Sequence, residues 1–268
     1  MIRIILVSLL FVILSCEKKP NTSVDNHIFF LRNMALAEIY AEDLLTIVDE
    51  AYQLGKLESK SVFNPANPDA VITKDSKSMT IDFGSIGIEG KDLRTRKGKI
   101  RVSFPLGYNS TNHFTEIIFD SFVVNNTFLI GKRNFKYRGL NLSGQKQWII
   151  NSNIQFIQLN NGTNYSWVTE RYRNQTLGAT TPALSDDAFE AIGVNDLFTY
   201  QNTKYRFNIK TPLMQKNGCS FFQEGLIQLI YNTSSTFSID FGYKENPVCD
   251  QFAKLDYIQN KYILNLIL

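Results

Sequence analysis

Residues 148–173 read WIINSNIQFIQLNNGTNYSWVTERYR. Apolar and polar residues alternate up to Leu159, break at Asn160-Asn161-Gly162, and alternate again from Asn164 to Arg173. A period of two places successive side chains on opposite faces of a strand, so Tyr165 and Trp167 face the same way. Asn-Gly between two such runs is the strongest short hairpin signal, because both residues tolerate positive φ. The stretch is therefore read as two antiparallel strands and their turn.

The same pattern extends in both directions. KGKIRVSF (97–104), FTEIIFDSFVV (114–124) and TFLIGKRNF (127–135) precede the hairpin; KYRFNIKTPL (204–213), FFQEGLIQLIY (221–231), TFSIDFG (236–242), FAKLDY (252–257) and KYILNLIL (261–268) follow it. Turn residues separate the runs and no helix alternates with them, which excludes a βαβ fold. Twenty Phe and twelve Tyr among 268 residues fit strands. The predicted fold is mainly β, an antiparallel meander or sandwich of about a dozen strands. Weak periodicity over 178–198 marks a boundary between two related lobes, 79–175 and 185–268.

Ahead of the strands, residues 28–56 are rich in helix formers. Leu31, Met34, Ala35, Ile39, Leu44, Leu45 and Val48 recur at helical spacing, with Glu38, Asp43 and Glu50 largely on the other side. This predicts one core-facing helix with a wide apolar stripe, stopped near Gly55. A kinked, polar stretch, EKKPNTSVDN (17–26), reads as part of a flexible tether over 16–27.

The chain opens MIRIILVSLLFVILSC. One cation, Arg3, precedes an apolar run too short to span a bilayer as a helix, as expected of a signal peptide over 1–15. Ile13-Leu14-Ser15-Cys16 resembles a bacterial lipobox, which implies cleavage before Cys16 and lipidation of its thiol by diacylglyceryl and an amide-linked acyl (palmitate-type) chain. Several chains make a stable anchor where one is marginal. The expected location is the outer membrane, facing the periplasm. With Cys16 acylated, Cys219 and Cys249 remain as a disulfide in an oxidising compartment.

A net charge of +3 does not point to nucleic acid. MTIDFG (79–84) returns as FSIDFG (237–242), and Asp92 and Asp250 stand at the same offset after Gly84 and Gly242. The repeat, Asp82-Gly84-Asp92 and Asp240-Gly242-Asp250, is read as one piece of architecture used twice: strand, glycine, loop, Asp, strand. TIDFG with GKDLRTRKGKI, the later LNNGTNYSWVTERYR and the closing IDFGY…CD…A resemble an uncharacterised family of Bacteroidota lipoproteins. The resemblance covers about Met79 to Leu268 and implies architecture and address, not chemistry. Members commonly carry cysteines after the first IDFG, where this chain has SIGIEG (85–90).

Catalytic motifs are missing: no HExxH, P-loop, GxGxxG, EF-hand or G-x-S-x-G pattern occurs, and the only histidines are His27 and His113. No cofactor and no metal is expected, and Asp186, Asp187 and Asp196 read as a solvated acidic loop. Lys91, Arg94, Arg96, Lys97, Lys99 and Arg101 form the one dense run of cations, a candidate for an anionic envelope partner or a solvated hairpin. Trp148, Trp167 and Tyr172 are candidates for stacking on sugar rings or for cross-strand core pairs. Two functions follow: a non-enzymatic, membrane-anchored β protein that binds or scaffolds an envelope glycan or protein, or a hydrolase of envelope glycans using a carboxylate pair such as Asp82 and Asp240.

Overall fold

The structure, a computed structural model, describes residues 22–55, 70–108, 113–181, 183–193, 196–231, 235–243 and 249–267. Cys16 and the signal segment lie outside them. One helix, α1 (Thr22–Leu54), leads. It begins inside the stretch expected to be tether. The strands that follow are β1 (Val71–Lys74), β2 (Ser78–Asp82), β3 (Ile88–Glu89), β4 (Thr95–Ser103), β5 (Phe114–Val124), β6 (Thr127–Leu140), β7 (Lys146–Gln158) and β8 (Asn164–Leu177). After a short 3-10 turn, Leu184–Asp186, come β9 (Ala188–Gly193), β10 (Asp196–Tyr200), β11 (Thr203–Lys216), β12 (Glu224–Tyr231), β13 (Ser235–Asp240), β14 (Phe252–Tyr257) and β15 (Asn260–Asn265).

All of them belong to one 15-stranded sheet, ordered β1-β2-β4-β5-β6-β7-β8-β10-β11-β12-β13-β14-β15, with β3 on β4 and β9 between β8 and β11. Every pairing is antiparallel, as the alternating runs predict. Arg171 of β8 lies opposite Gly193 of β9, and Val168 opposite Leu197 of β10, so β9 and β10 run in line as two halves of one strand position.

How the two expected lobes meet is open in the sequence, and here they form one continuous sheet. The weakly periodic stretch 178–198 holds β9 and part of β10, and these strands carry the hydrogen bonding across the expected boundary. Residues of both halves share one hydrophobic core with α1. The periodicity is weak there because the run is short and interrupted.

The expected single core-facing helix is present, and its burial goes further than its apolar stripe. It is buried on nearly all sides rather than along one stripe: Phe30, Met34, Ile39, Tyr40, Leu44, Ile47 and Val48 are each 2 % exposed or less, and Glu38, Glu42 and Asp43 are buried with them. Its partners come from the whole width of the sheet. Lys74 of β1 donates to the Tyr52 carbonyl at 2.7 Å, and Arg32 donates to the Asn265 carbonyl, at the end of β15, at 2.6 Å. Phe30 packs on Phe198, Tyr200 and Tyr205. A sheet this wide, curled on itself, encloses more space than its own side chains fill. The helix fills it.

Burying the acids of α1 requires cations on the concave face. Arg171 of β8 clamps Glu38 through both terminal nitrogens and bonds Asp196 at 2.6 Å. Arg173 donates to Glu42 at 2.6 Å, with Arg133 of β6 at 3.7 Å from the same carboxylate. Arg96 bonds Asp43 at 2.7 Å. Such pairs fix the rotation and height of the helix, because removing either member strands a buried charge.

The repeated phrase has the same local job in both places. The Asp82 carboxylate accepts from the Gly84 N–H at 2.8 Å, and Asp240 from the Gly242 N–H at 3.1 Å, turning the chain off the strand end. Asp92 and Asp250 cap the next strand by accepting from Arg94 and Phe252 N–H. Ile81, Phe83, Ile239 and Phe241 are buried. Phe83 N–H bonds Gly98 O, and Phe241 N–H bonds Gly225 O. A Cβ on Gly98 would sit 2.1 Å from the Ser121 carbonyl oxygen, so only glycine fits beside the β5 bulge.

Candidate functional site

The cavity of interest has a volume of about 410 Å³ and opens beside the C-terminal turns of α1. Leu45, Asp49 and Gln53 face it at one-turn intervals, the spacing that stacks side chains on one helix face. Its floor is a set of cross-strand rows. Register places Tyr137 of β6 opposite Trp148 of β7, and Trp148 opposite Arg173 of β8; Phe135 stands opposite Ile150 in the next row. Gln175 of β8 lies opposite Phe189 of β9. Tyr108 and His113 close one side, and Leu184 and Asp187 the other.

Aromatic rings dominate the wall. Tyr137 and Trp148 have centroids 5.5 Å apart, Trp148 and Phe189 6.3 Å, and His113 stacks between Tyr108 and Tyr137 at 5.9 Å from each. The Arg173 guanidinium lies over the Phe189 ring, 3.4 Å from its centroid, while its Nε–H goes to Glu42.

Two carboxyls stand in this wall. The Tyr108 hydroxyl donates to Asp49, and burial pushes the Asp49 carboxyl above its usual range, opposed by the Arg173 charge and by that hydrogen bond. Burial also raises Tyr108, well above an ordinary phenol. Gln175 donates to Asp187 at 2.7 Å, and burial raises Asp187 as well, against that bond and with the Asp49 charge adding to the rise. Among the described residues no salt bridge reaches Asp49 or Asp187, unlike Glu38, Glu42 and Asp43.

Most of the residues singled out in the sequence are placed elsewhere. Arg94 and Arg96 are 4 % and 1 % exposed and turn inward onto Asp43 and Asp92; Arg94 also donates to the Ser220 carbonyl at 2.7 Å. Lys99 pairs with Asp82 at 2.8 Å and Arg101 with Asp120 at 2.6 Å. With Lys91 in the preceding turn and Lys97 on the strand, the six cations are split between inner and outer faces and make no single patch. The inward pair follows from strand alternation, since Arg94 and Arg96 share the parity of Ile100 and Val102.

Asp82 and Asp240 sit on β2 and β13, each with its own lysine, Lys99 at 2.8 Å and Lys254 at 3.6 Å, and neither lines the cavity. Trp167 is a core residue at 0 % exposure and Tyr172 is exposed; only Trp148 of the three aromatics lines the cavity. The acidic loop is not uniformly solvated: Asp186 bonds Thr181, Asp187 lines the cavity, and Asp196 is buried on Arg171 with its carboxyl pushed up to about 6 by desolvation. Cys219 and Cys249 form a disulfide, Sγ to Sγ 2.08 Å, tying the β11–β12 connection to the start of β14.

Sequence reasoning passed over Asp49 and Tyr108, gave His113 no partners and read Asp187 as part of a solvated loop. Asp49 stands on the acidic arc of α1 that reads as solvent-facing, and Tyr108 and Asp187 lie in connections without periodicity. Among the described residues no three His, Cys, Asp or Glu side chains cluster as metal ligands, and no helix is long and apolar enough to cross a membrane.

Fold and site together define a helix-filled antiparallel β-sheet protein with an aromatic cavity at one end of the helix. Compared with protein families, curated proteins and solved structures, the chain has no match.

Proposed function

We propose that this protein is an outer-membrane lipoprotein, acylated at Cys16, that binds a small organic ligand without transforming it. The observation that carries the reading is the cavity of about 410 Å³, within the size range of small-molecule sites and built from rings with a few convergent polar groups. The anchor rests on the lipobox-like ILSC at residues 13–16 and on the resemblance to Bacteroidota lipoproteins. The disulfide suits an oxidising envelope compartment. Tethering would hold the cavity close to the membrane, where envelope solutes pass.

The test is native mass spectrometry of the protein released from its own envelope, with a Cys16→Ala control. The reading expects loss of residues 1–15, a mass gain of acyl chains that the control lacks, and a co-purifying small molecule lost in Trp148→Ala. An unmodified, freely soluble chain would overturn the anchor.

A second reading is favoured by one observation: Asp49 and Asp187 are two carboxyls with raised pKa in one aromatic-lined cavity. A glycan hydrolase would use such a pair as acid and base. It predicts turnover of an envelope glycan that Asp49→Asn and Asp187→Asn each abolish. Binding without turnover leaves the first reading standing alone.

A further inference from the structure

Three buried acids of α1 share one arrangement, and two acids of the cavity wall depart from it. Glu38, Glu42 and Asp43 are each met by an arginine. Asp49 receives only the Tyr108 hydroxyl and Asp187 only the Gln175 amide. Both exceptions face the same cavity. A carboxylate withdrawn from water without a cation carries a cost that the arginines offset at Glu38, Glu42 and Asp43.

The cavity's own cations do not fill the gap. Arg173 is committed to Glu42 and stacked on Phe189. Lys146, half-buried at the start of β7, remains against two carboxyls. Neutral donors are already supplied to both acids, so a polyhydroxylated ligand would duplicate what Tyr108 and Gln175 provide. A cation would supply what is missing, and the rings of Trp148 and Tyr137 are apolar surfaces for the organic body that carries it.

We infer that the cavity takes a small organic ammonium compound, its charged head at Asp49 and Asp187 and its body against Trp148 and Tyr137. This rests on the binding reading proposed above and names its ligand class. The raised carboxyls agree with it: a bound cation offsets the burial that now disfavours their charged forms. The groups that bear on this head are known. Arg173, Tyr108, Glu42 and His113 act on Asp49, and Gln175, Asp49, Asp186 and Arg173 on Asp187.

The test is calorimetric titration of the detergent-solubilised full chain with three probes: phenethylammonium, its neutral isostere phenethyl alcohol, and N-acetylglucosamine. The expected result is saturable binding of phenethylammonium, at least tenfold tighter than the alcohol. Asp49→Asn and Asp187→Asn should each weaken it tenfold or more while melting no lower than the parent; Asn preserves the acceptor for Tyr108 or Gln175. Trp148→Ala should weaken amine and alcohol together. Equal affinity for amine and alcohol, or amine binding indifferent to both Asn variants, overturns the ammonium class but leaves the cavity a site. Binding of N-acetylglucosamine alone does the same and gives a saccharide site instead. Silence of all three probes overturns this inference and, if no small molecule co-purifies either, the binding reading with it.

Discussion

Asp49 is where stability and function pull in opposite directions. Its folded pKa lies above the ordinary carboxylate value because burial opposes its charge. A raised carboxyl costs no stability below its unfolded pKa and an increasing amount as pH climbs through its folded one. Asp49→Asn is therefore expected to raise the melting temperature of the unliganded protein at neutral pH. The gain should vanish at a pH below the usual carboxylate range, where Asp49 is protonated in both states. Thermal scans at the two pH values decide it: a loss of stability at neutral pH would mean that Asp49 holds the fold rather than waits for a ligand. Residues that build stability and residues that spend it look alike in a sequence, since both are acids on one arc of a helix. The distinction becomes visible only when partners are counted. One signal was present all the same. Arg171 and Arg173 share strand parity with Tyr165 and Trp167, and Arg133 shares it with Leu129 and Phe135. Cations on the core side of a strand announce buried acids opposite.

At the scale of elements, α1 is positioned by those arginines as well as packed by apolar burial. Arg171→Met would leave Glu38 and Asp196 buried without a cation, at a cost of about 3–5 kcal/mol. Adding Glu38→Leu and Asp196→Asn to Arg171→Met should restore most of that, because the stranded charges are gone. Urea unfolding of the single and triple variants measures the difference; a triple variant no better than the single would mean that the pairs contribute net attraction. The disulfide acts between elements in the same way. It closes a loop with sequence separation 30, and Cys249→Ser is expected to lose about 3–4 kcal/mol by loop-closure entropy, with the sheet intact by circular dichroism. The helix itself was legible as a helix, since its formers and Gly55 are plain in the sequence. Its burial was not. A wheel with acids on one side reads as amphipathic, and only the width of the enclosing sheet turns that side inward.

For the whole molecule, alternation and the Asn161-Gly162 turn were enough to give an antiparallel meander, because the ladders join strands adjacent in sequence except β2–β4, β8–β10 and β9–β11, which skip one short strand each. Lobes are a different matter. A stretch of weak period looks like a boundary, yet Arg171 and Val168 of one strand pair with Gly193 and Leu197 on either side of it, and α1 packs on strands from both halves. Neither half can be removed without opening the core of the other. Thermal unfolding should consequently be one transition, with calorimetric and van't Hoff enthalpies equal. Amides of β6, β7, β8 and β11 should exchange together at the slowest rate. Two resolved transitions, one assigned to strands before residue 178 and one to strands after it, would mean that the lobes unfold as separate units, with α1 belonging to one of them. The outcome also bears on the cavity, whose wall draws on α1, β6, β7, β8 and β9 at once: in a single cooperative unit the site exists only when the whole sheet is closed around its helix, and any ligand that binds there raises the melting temperature of all of it.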